Sequence, residues 1–304
     1  MPSDRTVLPP DVLAAALRAD ATRPRLTFYD DAVGATRGER IELSAKVLTH
    51  WVSKAGNALQ EELDVAPGSR VLLVLPSHWR AVYWAMAVWS VGATLVLPQA
   101  DPPSDDTVGS AALPETALPD TALPHTALAD TLADTLRDIA LVVSDDVALV
   151  TAAVGSPGRG AVLVSLPMLS RGHAETPGGA FDEARELATY GDVFDAWEAP
   201  SPADPALVLL PGSGGGRSGG GERSGGGEAG GDDAGASPTP YGELVVPRPT
   251  WGDRPRVELA GPLARVLVDA LSAWYADGSV VLVRHPDGEQ EARRTSEGVT
   301  VRLG

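Results

Sequence analysis

The densest run of residues that could do chemistry lies in a glycine-rich tract. Gly216-Arg217-Ser218-Gly219-Gly220 fits the G-x-S-x-G spacing of a serine nucleophile, and Gly214 to Gly219 fits the G-x-G-x-x-G spacing of a dinucleotide loop. Either pattern works only where a strand enters and a helix leaves. That geometry lifts the serine out of the turn, or aims backbone N–H groups at phosphate. Neither flank is regular here, and Ser-Gly-Gly-Gly occurs three times, so glycine patterns match by composition alone. A flexible insertion is the simpler reading. The five histidines are His50, His78, His125, His173 and His285, and no pair has metal-ligand spacing. His78 follows Pro76-Ser77 at a predicted strand end, where α/β sites lie, although a surface or helix-capping role explains it better. Asp105-Asp106 and Asp232-Asp233 fall in low-complexity sequence and read as solvated. There is no cysteine, which excludes disulfides, a thiol nucleophile and iron–sulfur ligation and fits a reducing compartment.

The elements that would have to position such groups can be read from patterning. Asp11 is a plausible cap for a short helix over Val12 to Leu17, and Leu26 to Tyr29 reads as a strand. Ser44 caps a helix in which Leu48, Trp51, Val52, Ala55, Leu59 and Leu63 form one apolar stripe. Val71 to Leu75 suits a buried parallel strand. The segment from Trp79 to Val91 is apolar nearly all round and predicts a deeply packed helix, ending at Gly92 before a strand over Thr94 to Leu97. Trp79, Trp84 and Trp89 recur every five residues, which puts them on different faces of that helix, as core or as a partner surface. Further strands are predicted at Ile139 to Val143, Ala161 to Leu166, Ala206 to Leu210, Leu244 to Val246 and Val280 to Val283. Helices are predicted at Asp182 to Leu187 and Leu263 to Tyr275. The succession β–α–β argues for an α/β fold with a mostly parallel sheet flanked by helices.

Two stretches stand outside this pattern. Residues 101–137 carry Ala-Leu-Pro-Glu-Thr and close variants at a period of five, which fits neither a helix nor a strand. Residues 211–240 hold the glycine-rich tract. The expected organisation is therefore a β–α–β portion at 1–100, a repeat insertion at 101–137, a second α/β portion at 138–210, a disordered loop at 211–240 and a helix–strand portion at 241–304.

Charge excludes some functions. The 304 residues sum to a formal charge of −17, with no basic stripe, which argues against nucleic acid and anionic membrane surfaces as partners. Asp4, Asp11 and Arg18 break every early apolar run, so no signal peptide is expected. From Ala81 to Ala100 there are 20 residues without charge, long enough to span a bilayer. Ser90, Gly92 and Thr94 interrupt them, and a buried helix followed by a buried strand explains them better. A cytoplasmic protein is expected.

Residues 37–98 carry a resemblance. Arg40-Ile41-Glu42-Leu43-Ser44, Lys54-Ala55-Gly56-Asn57-Ala58-Leu59, Pro67-Gly68-Ser69-Arg70-Val71, and Ala85 to Val96 with Gly92-Ala93 follow the order and spacing found at the opening of acyl-CoA synthetases and other adenylate-forming ligases. Asp204 to Leu210 resembles the strand that leads into that family's phosphate loop. Gly261-Pro262-Leu263 through Leu282 resembles the helix and strand that follow it. The likeness is to the front half of those enzymes, and most of all to short actinobacterial relatives. It implies ATP or AMP with magnesium as ligands, and it makes Gly212, Ser213, Gly214, Gly215 and Gly216 a degenerate phosphate loop.

The departures shape the functional expectation. Only two lysines occur, Lys46 and Lys54, both on the first long helix and neither in the loop. An aromatic-Gly-x-Thr-Glu segment, a Thr-Gly-Asp segment and the small domain bearing the catalytic lysine are not found; Tyr241-Gly242-Glu243 lacks the threonine. The expectation is a truncated, non-catalytic relative with weak nucleotide or acyl binding, and no catalytic or metal-ligating residues are assigned. Alternatives are an interaction module whose exposed apolar surface takes a homo-oligomer or a partner protein, and an enzyme completed by a second chain.

Overall fold

The computed structural model describes residues 6–99, 138–210, 237–287 and 290–303. The five-residue repeat and Gly212 to Gly216 lie outside the described residues.

Helix α1 (Pro9–Ala19) starts earlier than the sequence suggests. Leu8 is its cap, Pro9 and Pro10 open it, and the Asp11 carboxylate accepts from the Leu8 N–H at 3.1 Å. Proline at the first helical positions loses no hydrogen bond and has its φ preset, which displaces Asp11 from capping into the first turn. Strands β1 (Pro24–Asp30) and β2 (Arg40–Ser44) pair antiparallel. Ser44 caps α2 (Ala45–Glu61), its hydroxyl accepting from Val47 N–H at 3.2 Å.

Strand β3 (Arg70–Val74), helix α3 (Trp79–Ser90) and strand β4 (Thr94–Pro98) form the β–α–β unit foreseen from the sequence, with β3 and β4 parallel. Every residue of α3 is buried. It lies between β3 and β4 on one side and α1 and α2 on the other, so it has no polar face to offer water. Strand β5 (Ile139–Ser144) returns to the opposite side of β3, followed by α4 (Val147–Val154), β6 (Gly160–Leu163), β7 (Phe181–Asp182), α5 (Glu183–Glu186) and β8 (Pro205–Leu210). Strand β9 (Thr239–Pro240) pairs antiparallel with β8.

A strand was expected at Leu244 to Val246, but Tyr241–Leu244 is a single helical turn, α6. The fully buried Tyr241 decides it. Its hydroxyl donates toward Ala93 O at 2.8 Å and lies 3.2 Å from Trp89 O, and a strand would not aim it there. The chain then adds β10 (Arg256–Leu259), α7 (Leu263–Tyr275), β11 (Ser279–Arg284), α8 (Gln290–Glu297) and β12 (Val301–Arg302).

These strands make two sheets rather than one. The first has the order β12-β10-β11-β1-β2, and the second β7-β6-β5-β3-β4-β8-β9. Only the β1–β2 and β8–β9 pairs are antiparallel. The first sheet joins the two ends of the chain, and Arg25 locks that join. Its guanidinium is fully buried and donates to Asp277 O and Gly278 O at 2.9 Å, to Ala16 O at 3.2 Å, and to the Asp277 carboxylate at 2.6 Å. Gly278 is obligatory at that turn, since a Cβ there would stand 2.3 Å from Pro255 O. Among the described residues no helix is long and apolar enough to cross a membrane.

Candidate functional site

In the second sheet the order reverses at β3, with β4 on one side and β5 on the other, so a crevice opens beyond the carboxyl ends of β3 and β5. The first sheet brings the ends of β1, β10 and β11 to the same place. The Ser77 hydroxyl, just after β3, donates to Gly261 O, just after β10, at 2.6 Å.

His78 sits at this junction and is fully buried, so the surface role is excluded and the capping role holds. Its Nδ1 accepts from Arg80 N–H at 3.2 Å, which places the ring proton on Nε2. Nε2 is buried with no hydrogen-bond partner among the described residues, and the ring lies edge-on to Phe28 with centroids 4.5 Å apart. Burial, reinforced by Arg80 and Arg284, holds the imidazole well below its usual basicity, so it is neutral at pH 7. A ring locked in this way is a capping group and not a proton shuttle.

The charges around the crevice are largely spoken for. Asp30, fully buried at the end of β1, pairs with Arg284 at 3.2 Å and accepts from Ala32 N–H at 3.0 Å. Asp146 caps α4, accepting from Ala148 N–H at 2.8 Å. Burial pushes the Asp145 carboxyl upward, against the pull of Arg284. Arg80 reaches Glu183 at 2.6 Å, and Tyr83 donates to the same carboxylate oxygen. Burial raises the Glu183 carboxyl despite Arg80, and burial raises the Tyr83 phenol. This triad ties α3 to α5. Of the five histidines, His125 lies outside the described residues. No group of three metal-ligating side chains forms among the described residues. These groups do not fit a triphosphate with its metal: the cationic groups are paired and no ligand set is assembled. The two lysines stand elsewhere, Lys54 donating to Ala188 O at 3.2 Å and pairing with Asp192 at 2.9 Å.

A second concavity has an apolar lining with charged groups at its rim. A groove of about 410 Å³ lies between β8 and α7. Its floor is Leu207, Leu209 and Val268, and Trp251 and Leu303 flank it. The buried Asp269 carboxylate is shared by Arg248 at 3.3 Å and Arg265 at 3.5 Å, both more exposed than it is. Two guanidinium groups on one carboxylate leave a net positive rim above an apolar floor. That combination suits an apolar body with one anionic head. No motif in the sequence marks these residues as a group. The Arg265–Asp269 pair at i,i+4 on an otherwise apolar helix is the only local signal.

Comparison with known proteins agrees with this architecture. No family model matches the chain. A TIGR03089 family protein of Mycobacterium tuberculosis is 36% identical over 200 residues, an alignment taking in 65% of this chain and 66% of that protein. Among solved structures, a Rhodopseudomonas palustris protein assigned as a long-chain-fatty-acid CoA ligase superposes with a TM-score of 0.65 at 19% identity, over 99% of this chain and 63% of the other. The chain has the fold of the front part of an adenylate-forming ligase. The N-terminal subdomain of Klebsiella oxytoca NpsA, in complex with 3-hydroxyanthranilyl-AMSN, has the same fold, with a TM-score of 0.59 at 14% identity over 98% of this chain and 60% of that one.

Proposed function

We propose that this chain binds an acyl or aryl carboxylate in the groove between β8 and α7 and does not adenylate it unaided. The groove itself carries the reading, because an apolar floor under two arginines that share one carboxylate is complementary to such an acid. The non-catalytic half rests on cation supply. Carboxylate attack on ATP needs positioned cations and N–H donors around the phosphates. Here Arg284 is paired with Asp30, and both lysines lie on α2. The 3-hydroxyanthranilyl group held by the NpsA subdomain supports an arylacyl ligand of this class. Weak nucleotide binding belongs to the same reading, with Gly212 to Gly216 as the stretch that would touch phosphate.

Calorimetry with benzoate, anthranilate and decanoate tests the groove. Binding is expected, and it should be lost in Val268→Asp. Silence at millimolar acid would remove the carboxylate reading. ATP–pyrophosphate exchange with the same acids tests catalysis, and exchange above background would overturn the non-catalytic half. ATP and AMP titrations with magnesium, repeated on a variant lacking residues 213–235, test the glycine stretch.

A further inference from the structure

The segment 188–197, which leaves the 3-10 turn Leu187–Thr189, runs along α2 and is held there by its backbone. Asn57 donates from Nδ2 to Gly191 O at 3.1 Å and to Val193 O at 2.9 Å. Gln60 donates to Asp195 O at 3.2 Å and accepts from Trp197 N–H at 3.0 Å. With Lys54, these residues stand at i, i+3 and i+6, one face of the helix. Phe194 turns inward onto Gly56, where even a Cβ would stand 2.9 Å from its ring. The neighbouring apolar side chains have no such seat: Val193 is 83% exposed and Trp197 is 69% exposed.

An exposed tryptophan on a fixed backbone has already lost its chain entropy, which is the condition for an interface anchor. Its surroundings specify the partner. Asp192 and Asp195 lie on the segment itself and Glu198 directly follows it, all exposed. Glu61, Glu62 and Glu186 crowd Tyr190 closely enough that, after burial, they are the next causes of its raised phenol. Lys54 pairs with Asp192 at 2.9 Å, Lys46 acts on the same carboxylate, and the His50 ring lies 3.7 Å from it. The surface is thus an indole and a valine set among carboxylates.

We propose that the 188–197 segment is a docking surface for an arginine-bearing basic segment of a partner protein, with Trp197 stacking on a guanidinium and the carboxylates pairing with its neighbours. Arginine fits better than lysine because its planar group stacks on an aromatic face while still donating to carboxylates. The site is separate from the groove and does not depend on the carboxylate reading.

Titration of the full chain with octa-arginine and octa-lysine, at low and at physiological salt, tests this. Octa-arginine should bind more tightly than octa-lysine, and Trp197→Ala should weaken it about tenfold, the size of a modest anchor residue. Trp197→Phe should retain part of the affinity. Because the hydrogen bond from Trp197 to Gln60 is made by its main chain and the residue is largely exposed, the melting temperature of Trp197→Ala should stay close to wild type. Equal binding by Trp197→Ala and wild type would reduce the effect to bulk charge and overturn the proposal. Sedimentation showing a concentration-dependent dimer that Trp197→Ala dissolves would also overturn it, in favour of a second copy of this chain.

Discussion

Helices α3 and α8 are attached to the same molecule by opposite means. All twelve residues of α3 are buried, whereas none of the eight in α8 is. Arg293 pairs with Asp31 at 2.7 Å, and Arg294 grips Glu258 with three bonds, the shortest 2.6 Å. Glu297 takes bonds from Tyr29, from Arg256 and from Arg40, the last at 3.0 Å. Apolar burial is roughly additive in area and indifferent to salt, so α3 is a permanent part of the core. These ion pairs are half-buried and still reached by water and salt, so α8 is held by charge contacts that solution conditions can loosen. The one charge inside α3 behaves differently again. Arg80 is desolvated with Glu183, and neither can be removed alone without stranding the other.

The largest effects should come from breaking α3. Trp84→Ala should cost about 3–5 kcal/mol, the range for deleting a large aromatic from a packed core. Trp84→Phe should cost much less, because the Trp84 Nε1–H is buried without a hydrogen-bond partner and its loss leaves nothing unsatisfied. Urea denaturation of the two variants checks this; equal losses would mean that the indole nitrogen has a partner. Arg80→Met should cost about 3–5 kcal/mol through the stranded Glu183 carboxylate. The double variant Arg80→Met/Glu183→Leu should recover part of that, and a double variant worse than the single one would refute the stranding argument.

Next in size is a pH effect that belongs to α3 alone. His78 has a folded basicity well below its unfolded value near 6.5. The unfolded state therefore binds more protons between those values, and stability is full above pH 6.5 and lost as pH falls below it. The slope approaches about 1.4 kcal/mol per pH unit. His78→Asn keeps a capping side chain and removes the titration, so its stability should stay flatter than wild type between pH 7 and pH 5. Glu183, whose carboxyl is raised, works in the opposite direction in both proteins, and the difference between them isolates His78. Parallel curves would show that the ring is not held neutral.

The same contrast explains how much could be read in advance. Segments whose surroundings are uniform were legible: an all-apolar run fits only between two layers, which gave α3, and an unbroken Val-Leu run gave β3. Segments decided by one distant partner were not. Leu244 to Val246 looks like a strand until the Tyr241 hydroxyl finds Ala93 O across the fold. The first sheet joins early and late strands, a join that Arg25 locks by reaching Asp277 some 250 positions away, and no local pattern encodes that. The groove unites Leu207, Arg248, Asp269 and Leu303 from four separate stretches. The phosphate-loop expectation at Gly212 to Gly216 came from resemblance, and its structure lies outside the described residues.

The smallest expected effect is the one that tests α8. Burial opposes ionisation of Asp31 and Glu297, but hydrogen bonds from Arg293 to Asp31, and from Tyr29, Arg256 and Arg40 to Glu297, outweigh it and hold both carboxyls below their usual values. Such groups stabilise above the unfolded value and lose that contribution as pH falls through the folded one. Acid should therefore release α8 only below about pH 4, well under the range in which His78 acts. Salt should release it at neutral pH, since at about 1 M the screening length falls to roughly 3 Å. Global stability should change by no more than about 1 kcal/mol per exposed pair removed, as in Glu291→Ala, whose partner Arg302 is equally open to water. Hydrogen exchange over residues 290–297 is the sensitive readout, and it should quicken in salt and in Glu297→Ala while exchange in α3 stays slow. If both helices opened together, α8 would be coupled to the core through apolar contact, and the distinction between the two modes of attachment would fail.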